Sequence, residues 1–440
     1  MANDIKKETS NVLFQLNGVP EFRKAFPLAL QHVVAMIVGC VTPAIIVSNS
    51  AGISQAEKVI LIQASLVIAG ISTLLQLFPL GKYFGSGLPV ILGVSFAYVP
   101  SMQAIAEGYD IGTILGAQIV GGIIAMIVGL FVKQLRRFFP PLITGTVVFS
   151  IGLSLYPTAI NYMAGGISSP TYGSAKNWGI ALFTLAVVTF LNHFTKGFFK
   201  LASILIGMLA GYVVSIFAGI VNFSNVGDAG FFYIPTPLHF GINFNISACV
   251  AIGLLFAINS VQAIGDFSAT TIGGLDREPT NRELQGGIIA YGFTNFIGAF
   301  LGGLPTATYS QNVGIVATTK VVNRIILGMA AVIILLAGII PKFSALLTTI
   351  PYCVLGGATI SVFASIAMTG IKLITSQPMS YRNTSIVGLA VAIGMGVTQA
   401  STSLSAFPTW VATIFGRSPV VLATLVAIFL NQVLPKEQKN

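Results

Sequence analysis

Apolar stretches of about the length needed to cross a bilayer recur along almost the whole chain. A membrane-spanning helix needs about 20 mainly apolar residues to cover roughly 30 Å of hydrocarbon, where every backbone polar group must be satisfied within the chain. Fourteen such segments are legible, near residues 27–48, 58–79, 87–100, 111–131, 141–158, 178–195, 199–222, 246–270, 286–303, 309–320, 323–341, 345–370, 384–400 and 418–434. The third and tenth are too short to span. Only 8% of the 440 residues are Asp, Glu, Lys or Arg and 55% are apolar, whereas soluble domains run near 25% charged. The spacing therefore predicts an all-α polytopic membrane protein. The 47 Gly and 20 Pro lie among Leu-, Ile- and Val-rich runs, which excludes both a collagen repeat and a disordered chain.

Charge and cysteine usage narrow the class further. Cys40, Cys249 and Cys353 all lie in apolar segments and none has a CxxC neighbour, so neither a disulfide framework nor a zinc site is expected. The net charge of +10 comes from scattered residues without a long basic tract, which argues against nucleic-acid binding and reads as topology. With both termini inside, one face collects Lys6, Lys7, Arg23, Lys24, Lys82, Lys133, Arg136, Arg137, Lys196, Lys200, Arg277, Arg282, Lys320, Arg324, Lys372, Arg382, Lys436 and Lys439. The other holds only Lys58, Lys176, Lys342 and Arg417. Basic flanks stay cytoplasmic, so this split predicts both tails, residues 1–24 and 435–440, on the inner side of the cell membrane. The polar, charged beginning does not resemble a cleavable signal, and Lys133, Arg136 and Arg137 predict a surface facing anionic lipid.

The two short segments are each third in their group of seven. That is the pattern of two inverted seven-span repeats, here 25–222 and 246–434, joined by an extracellular loop at 223–245; their paired broken helices meet near the midplane. Gly85, Gly87, Pro89, Gly93 and Pro100 weaken helix at the first break, and Gly302, Gly303, Pro305 and Gly314 at the second. Irregular backbone at that depth survives only where it is buried or lines a cavity.

Of the twelve acids, Asp266 alone sits in an apolar run, Val261-Gln262-Ala263-Ile264-Gly265-Asp266. A carboxylate inside lipid costs about 2.5–3.5 kcal/mol on insertion scales and marks function by default; an equal reading places it at its helix end, capped by Ser268 or Thr270. Gln262 shares its helix face one turn earlier. His32, following Gln31, is open to both packing and proton-carrying roles. At the second break Ser310, Gln311 and Asn312 offer side-chain groups that donate and accept, suited to a neutral flat ligand with alternating N–H and C=O groups. Ser95 and Phe96 occupy the matching break, where the ring of Phe96 serves either core packing or stacking. No Walker lysine loop, GxSxG, HExxH or CxxCH occurs. With loops of about 24 residues or fewer, too small for a catalytic domain, the expectation is a transporter driven by an ion gradient, with no enzymatic activity and no cofactor.

Gln311-Asn312-Val313-Gly314-Ile315-Val316-Ala317-Thr318-Thr319-Lys320 resembles the signature of the nucleobase-ascorbate transporter family. Gln31-His32 and Gly265-Asp266 are similar to that family's motifs in spans 1 and 8, and the resemblance covers about residues 22–434. It implies a core domain of spans 1–4 and 8–11 and a gate domain of spans 5–7 and 12–14. It also implies that a purine such as xanthine or uric acid is imported with a proton or sodium as the core moves against the gate, and that the protein is a homodimer. The implied substrate contacts are Gln311, Gln262, Ser310, Ser95 and Phe96, with Asn312 and His32 holding the site's shape.

Two positions depart from the family pattern. The family usually has Glu where Gln262 stands, and many purine-carrying members have Asp where Tyr291 stands. An amide takes up no proton at physiological pH, which leaves Asp266 and His32 as titratable groups at depth and makes sodium near Asp266 an alternative. A uracil-type pyrimidine carrier is less favoured, because such carriers tend to have Glu at position 311. An inorganic anion exchanger of the same seven-plus-seven architecture is a further alternative, but neither break contains Lys or Arg before Lys320.

Overall fold

The computed structural model describes residues 12–81, 83–135, 140–167, 169–408, 411–412, 415–416 and 418–435. Lys6, Lys7, Lys82, Arg136, Arg137, Arg417, Lys436 and Lys439 lie outside the described residues. The first half contains α1 (Phe22–Ser50), α2 (Gln55–Leu77), β1 (Leu92–Val94), α3 (Val99–Ala106), α4 (Ile111–Leu130), α5 (Pro141–Met163), α6 (Ala175–Phe194) and α7 (Ser203–Phe217). The second contains α8 (Ile246–Leu275), α9 (Asn281–Phe300), β2 (Thr306–Thr308), α10 (Ser310–Thr319), α11 (Arg324–Ile339), α12 (Tyr352–Thr375), α13 (Tyr381–Gln399) and α14 (Pro419–Val433). Thirteen of the fourteen apolar segments overlap mainly one helix each, whereas the third covers β1 and reaches only the first two residues of α3.

Local chemistry repeats between the halves. Helix α2 opens on a capping box in which Ser54 Oγ accepts from Glu57 N and Glu57 accepts from Ser54 N; α9 opens on the same device, built from Thr280 and Glu283. Each box satisfies backbone donors that a helix start leaves free. The third element of each half is a three-residue strand followed by a short helix, β1 to α3 and β2 to α10. Seven of the helices, α1, α2, α4, α5, α6, α8 and α12, are individually long and apolar enough to cross a membrane among the described residues.

Two boundaries differ from the sequence expectation. The twelfth segment, expected at 345–370, begins as a helix only at Tyr352; Pro341–Thr348 forms a separate short helix bent 81° from α11. Pro341 occupies the first turn of that short helix and Pro351 the cap of α12, positions where a missing N–H breaks no helical bond. The third segment runs beyond its expected end at Pro100, because that proline lies in the first turn of α3.

The helices pack in two groups. In one, α2 lies on α11, α4 on α8 and α9, and α8 on α10; in the other, α5 lies on α12 and α14, α6 on α7 and α12, and α13 on α14. Close backbone approach matters within the first group: a Cβ on Gly292 would stand 2.5 Å from the carbonyl oxygen of Gly122, so α4 and α9 cross where neither carries a side chain.

Candidate functional site

The two broken spans meet directly. β1 and β2 pair antiparallel, with Leu92 opposite Thr308, Gly93 opposite Ala307 and Val94 opposite Thr306. The ladder is extended at both ends, where Ser95 N donates to Pro305 O at 3.1 Å and Tyr309 N donates to Ile91 O at 3.0 Å. Extended backbone at this depth needs partners for groups that a helix would satisfy internally, and side chains of neighbouring helices supply them. Thr73 of α2 accepts from Leu92 N at 3.0 Å and donates to Leu92 O at 2.9 Å. Asn295 of α9 accepts from Thr306 N at 2.8 Å and donates back to the Thr306 hydroxyl at 3.1 Å. Gly93 is required by crowding, since a Cβ there would lie 2.6 Å from Cys40 Sγ and 2.8 Å from the Tyr309 ring.

Where the strands turn into α3 and α10, a cavity of about 280 Å³ opens against α1, α5, α8 and α12. Its volume is near the lower end of the roughly 300–1,000 Å³ usual for small-molecule sites. Ser95, Phe96, Gln262, Ser310 and Gln311 all line it. Gln262 comes from α8, Ser310 and Gln311 from the first turn of α10, and Ser95 and Phe96 from the β1–α3 junction. Among the described residues the side chains of Gln262 and Gln311 have no hydrogen-bond partner, whereas Ser95 Oγ already caps the 96–98 turn by accepting from Ala97 N at 3.2 Å. Phe96 packs edge-on against Phe363 of α12, with ring centroids 5.2 Å apart. The lining contains no Asp, Glu, Lys or Arg.

The remaining expected residues surround the cavity without facing it. Asp266 is buried; its carboxylate accepts from the Ser310 hydroxyl at 2.8 Å and from the Thr308 hydroxyl. The expected capping by Ser268 or Thr270 does not occur: Ser268 donates to Ile264 O and Thr270 to the backbone oxygen of Asp266, and α8 continues to Leu275. The carboxylate thus ties α8 to both β2 and α10. Asn312 donates to His32 Nδ1 at 3.1 Å and to His32 O at 3.2 Å, tying α10 to α1. Tyr291 does not line the cavity; it is buried, with its hydroxyl paired to that of Tyr98 and its ring beside Phe256. Asp266, Thr308 and Ser310 form an oxygen-only cluster of the kind a hard cation favours. Among the described residues no group of three or more His, Cys, Asp or Glu is placed to hold a metal ion.

Thr308, Tyr309, Ser365 and Thr369 also line the cavity and escaped the sequence reading. The two β-branched residues Thr306 and Thr308 were the available signal for the strand; Ser365 and Thr369 on α12 carry no motif.

Residues 23–402 match the Permease family of xanthine and uric acid type. The chain is 34% identical to a xanthine permease of Bacillus subtilis, over 94% of each chain. It is 36% identical to the uric acid permease PucJ of the same organism, over 93% of this chain and 92% of the relative. Among solved structures, the transmembrane domain of a cyanobacterium bicarbonate transporter, BicA, superposes with a TM-score of 0.60 at 15% identity, covering 94% of this chain and 99% of that one. That likeness concerns the fold, two inverted seven-span repeats. The multi-pass architecture, the Gln311-Asn312 signature at the second break and the match across both repeats assign the chain to the nucleobase-ascorbate permease family, and it is a membrane transporter, not an enzyme.

Proposed function

We propose that this permease imports a purine nucleobase, xanthine, uric acid or a close relative, across the cytoplasmic membrane. The observation that carries the reading is the uncharged cavity at the crossing of the two broken spans, where the amides of Gln262 and Gln311 have no protein partner among the described residues. Each amide supplies donors and an acceptor, matching the alternating N–H and C=O edge of an oxidised purine. Ser310 and Ser95 add hydroxyls and Phe96 a ring beside the ligand plane. The names of the relatives, xanthine permease and uric acid permease, agree with this choice. An inorganic anion would find no lysine or arginine in the lining.

Transport proceeds by cation symport in this reading. Asp266 is the coupling group, because it is the buried carboxylate that joins the substrate-bearing α10 to α8. A proton or a sodium ion held by Asp266 with the Thr308 and Ser310 hydroxyls serves that role. Helices α1–α4 and α8–α11 form the core that carries the purine, and α5–α7 with α12–α14 form the gate against which it moves in an elevator-like step. The separate packing of these groups supports the division. Both termini face the cytoplasm, and two copies form a homodimer in the lipid bilayer.

Uptake of radiolabelled xanthine and urate into cells expressing the chain tests the reading. Saturable uptake, abolished by a protonophore or by sodium removal, is expected. Absence of both uptake and binding for every nucleobase would overturn it.

A further inference from the structure

A second cavity, of about 360 Å³, lies between the same two helix groups but farther along them. Helix α1 contributes residues 34–39 to the first cavity and 45–49 to the second; α12 contributes 362–369 to the first and 352–353 to the second. At about 1.5 Å of rise per residue, these shifts amount to some 15 Å along the bundle. The cavities are therefore stacked along one interface, with an apolar cavity of about 240 Å³, lined by Val38, Val41, Ile45 and Met208, between them.

The second cavity differs from the first in charge. Its wall contains Lys58, Asn49, Asn177 and Thr349, with the ring of Tyr352, and no Asp or Glu. Lys58 is half-buried and donates to Asn49 Oδ1 at 2.7 Å; among the described residues it has no carboxylate partner. Asn49 in turn donates from Nδ2 to the Tyr162 hydroxyl at 3.1 Å, so the chain Lys58, Asn49, Tyr162 crosses from α1 and α2 to α5. A half-buried ammonium satisfied by one neutral oxygen retains a net attraction for an anion. Tyr352 supplies a flat surface in the same cavity wall.

We infer that this cavity is a second, outer binding site for a planar monoanionic heterocycle, recognised by Lys58 and occupied before the ligand reaches the central cavity. The inference rests on the import reading above and on its orientation, in which Lys58 is extracellular. Urate, an anion at neutral pH, is the natural probe, and hypoxanthine, neutral and of similar size, its control. An anion that takes the ammonium also competes for the contact that holds Asn49, which couples occupation of the site to the Asn49–Tyr162 link between the two helix groups.

The test uses full-length protein carrying Ser169→Cys, at the cavity wall, labelled by a membrane-impermeant maleimide, with the parent chain reporting background from its three native cysteines. Urate is expected to slow labelling at least fivefold and hypoxanthine less than twofold. The urate protection should vanish with Lys58→Gln, survive Lys58→Arg, and persist in a Gln311→Ala background. Equal protection by both purines, protection that survives Lys58→Gln, or protection that disappears with Gln311→Ala alone would overturn the outer site. An absence of protection by urate would do so as well. None of these readouts requires transport, so a chain that carries no purine refutes the import reading while the labelling still decides whether the site exists.

Discussion

The amide nitrogen of Asn312 lies 3.1 Å from His32 Nδ1 and 3.2 Å from the carbonyl oxygen of the same histidine. A carbonyl oxygen only accepts, so it fixes which end of the amide faces His32; Nδ1 must then accept as well, with the ring proton on Nε2. The histidine therefore positions α10 against α1, a packing role.

Asn312→Ala strips the donor from a buried acceptor. The expected cost is about 1–3 kcal/mol of stability, read by thermal or denaturant unfolding of the purified protein. Combining it with His32→Phe removes both partners, and the double variant is expected to lose less than the sum of the single losses. Additive losses would mean that the two residues do not act through one another.

Gln311→Ala removes one of the two free amides of the central cavity. Each purine polar group left unpaired costs about 1–3 kcal/mol, so the dissociation constant for xanthine should rise about tenfold or more, at 1.4 kcal/mol per factor of ten. Equilibrium binding to purified protein measures it, and unchanged affinity would take Gln311 out of the site.

Most of this arrangement was legible because hydropathy marks spans and the Gly- and Pro-rich breaks held matching ranks in the two repeats. The meeting of residues 95–96 with 310–311 followed from that symmetry. What stayed hidden was long-range pairing between residues that periodicity treats alike. Nothing in the local sequence says that Asp266 takes its donors from Thr308 and Ser310 rather than from Ser268 or Thr270, since all four hydroxyls are within reach of a plausible fold and only tertiary packing chooses. The short helix Pro341–Thr348 was missed for a related reason. Its apolar residues merge with those of α12 in any running average, and the 81° bend from α11 falls at Pro341, where the short helix begins.

Asp266→Asn keeps a polar side chain beside Thr308 and Ser310 but withdraws the ionisable group. Net accumulation of purine against its gradient is expected to fall to the equilibrium level, while exchange of internal for external purine continues. Uptake and counterflow in the same vesicles separate the two, and accumulation at the parent level would assign coupling elsewhere. Gln262→Glu is the converse experiment: a carboxylate one turn away on α8 should make uptake newly dependent on pH, and an unaltered pH profile would show that position 262 carries no proton.

Gly93→Ala is predicted to damage the strand pair itself. The added methyl would stand 2.6 Å from Cys40 Sγ and 2.8 Å from the Tyr309 ring, and overpacking of this kind costs about 1–3 kcal/mol. Cys40→Ala should recover part of the loss by opening one of the two contacts. No recovery would locate the strain wholly at Tyr309, which donates from its hydroxyl to Val94 O at 2.5 Å and cannot retreat without releasing β1.

Asp110 supplies a pH test at the bundle's rim, away from the spans. Its carboxylate caps α4, accepting from Thr113 N at 2.8 Å and the Thr113 hydroxyl at 2.7 Å, and accepts from Asn243 Nδ2 of the inter-repeat loop at 2.7 Å. Partial burial pushes its pKa up, but the three donors outweigh burial and hold it below the usual carboxylate range. Because the folded value is the lower one, the stabilisation is complete above the unfolded value of about 3.9 and disappears as pH falls through the folded value. Asp110→Ala should therefore cost about 0.5–2 kcal/mol near neutral pH, the worth of a helix cap, and the gap from the parent protein should narrow below about pH 4 as the parent's carboxylate protonates. Melting temperatures of the two proteins at pH 7 and pH 3 measure the gap; one that widened in acid would mean that Asp110 stabilises the fold in its protonated form.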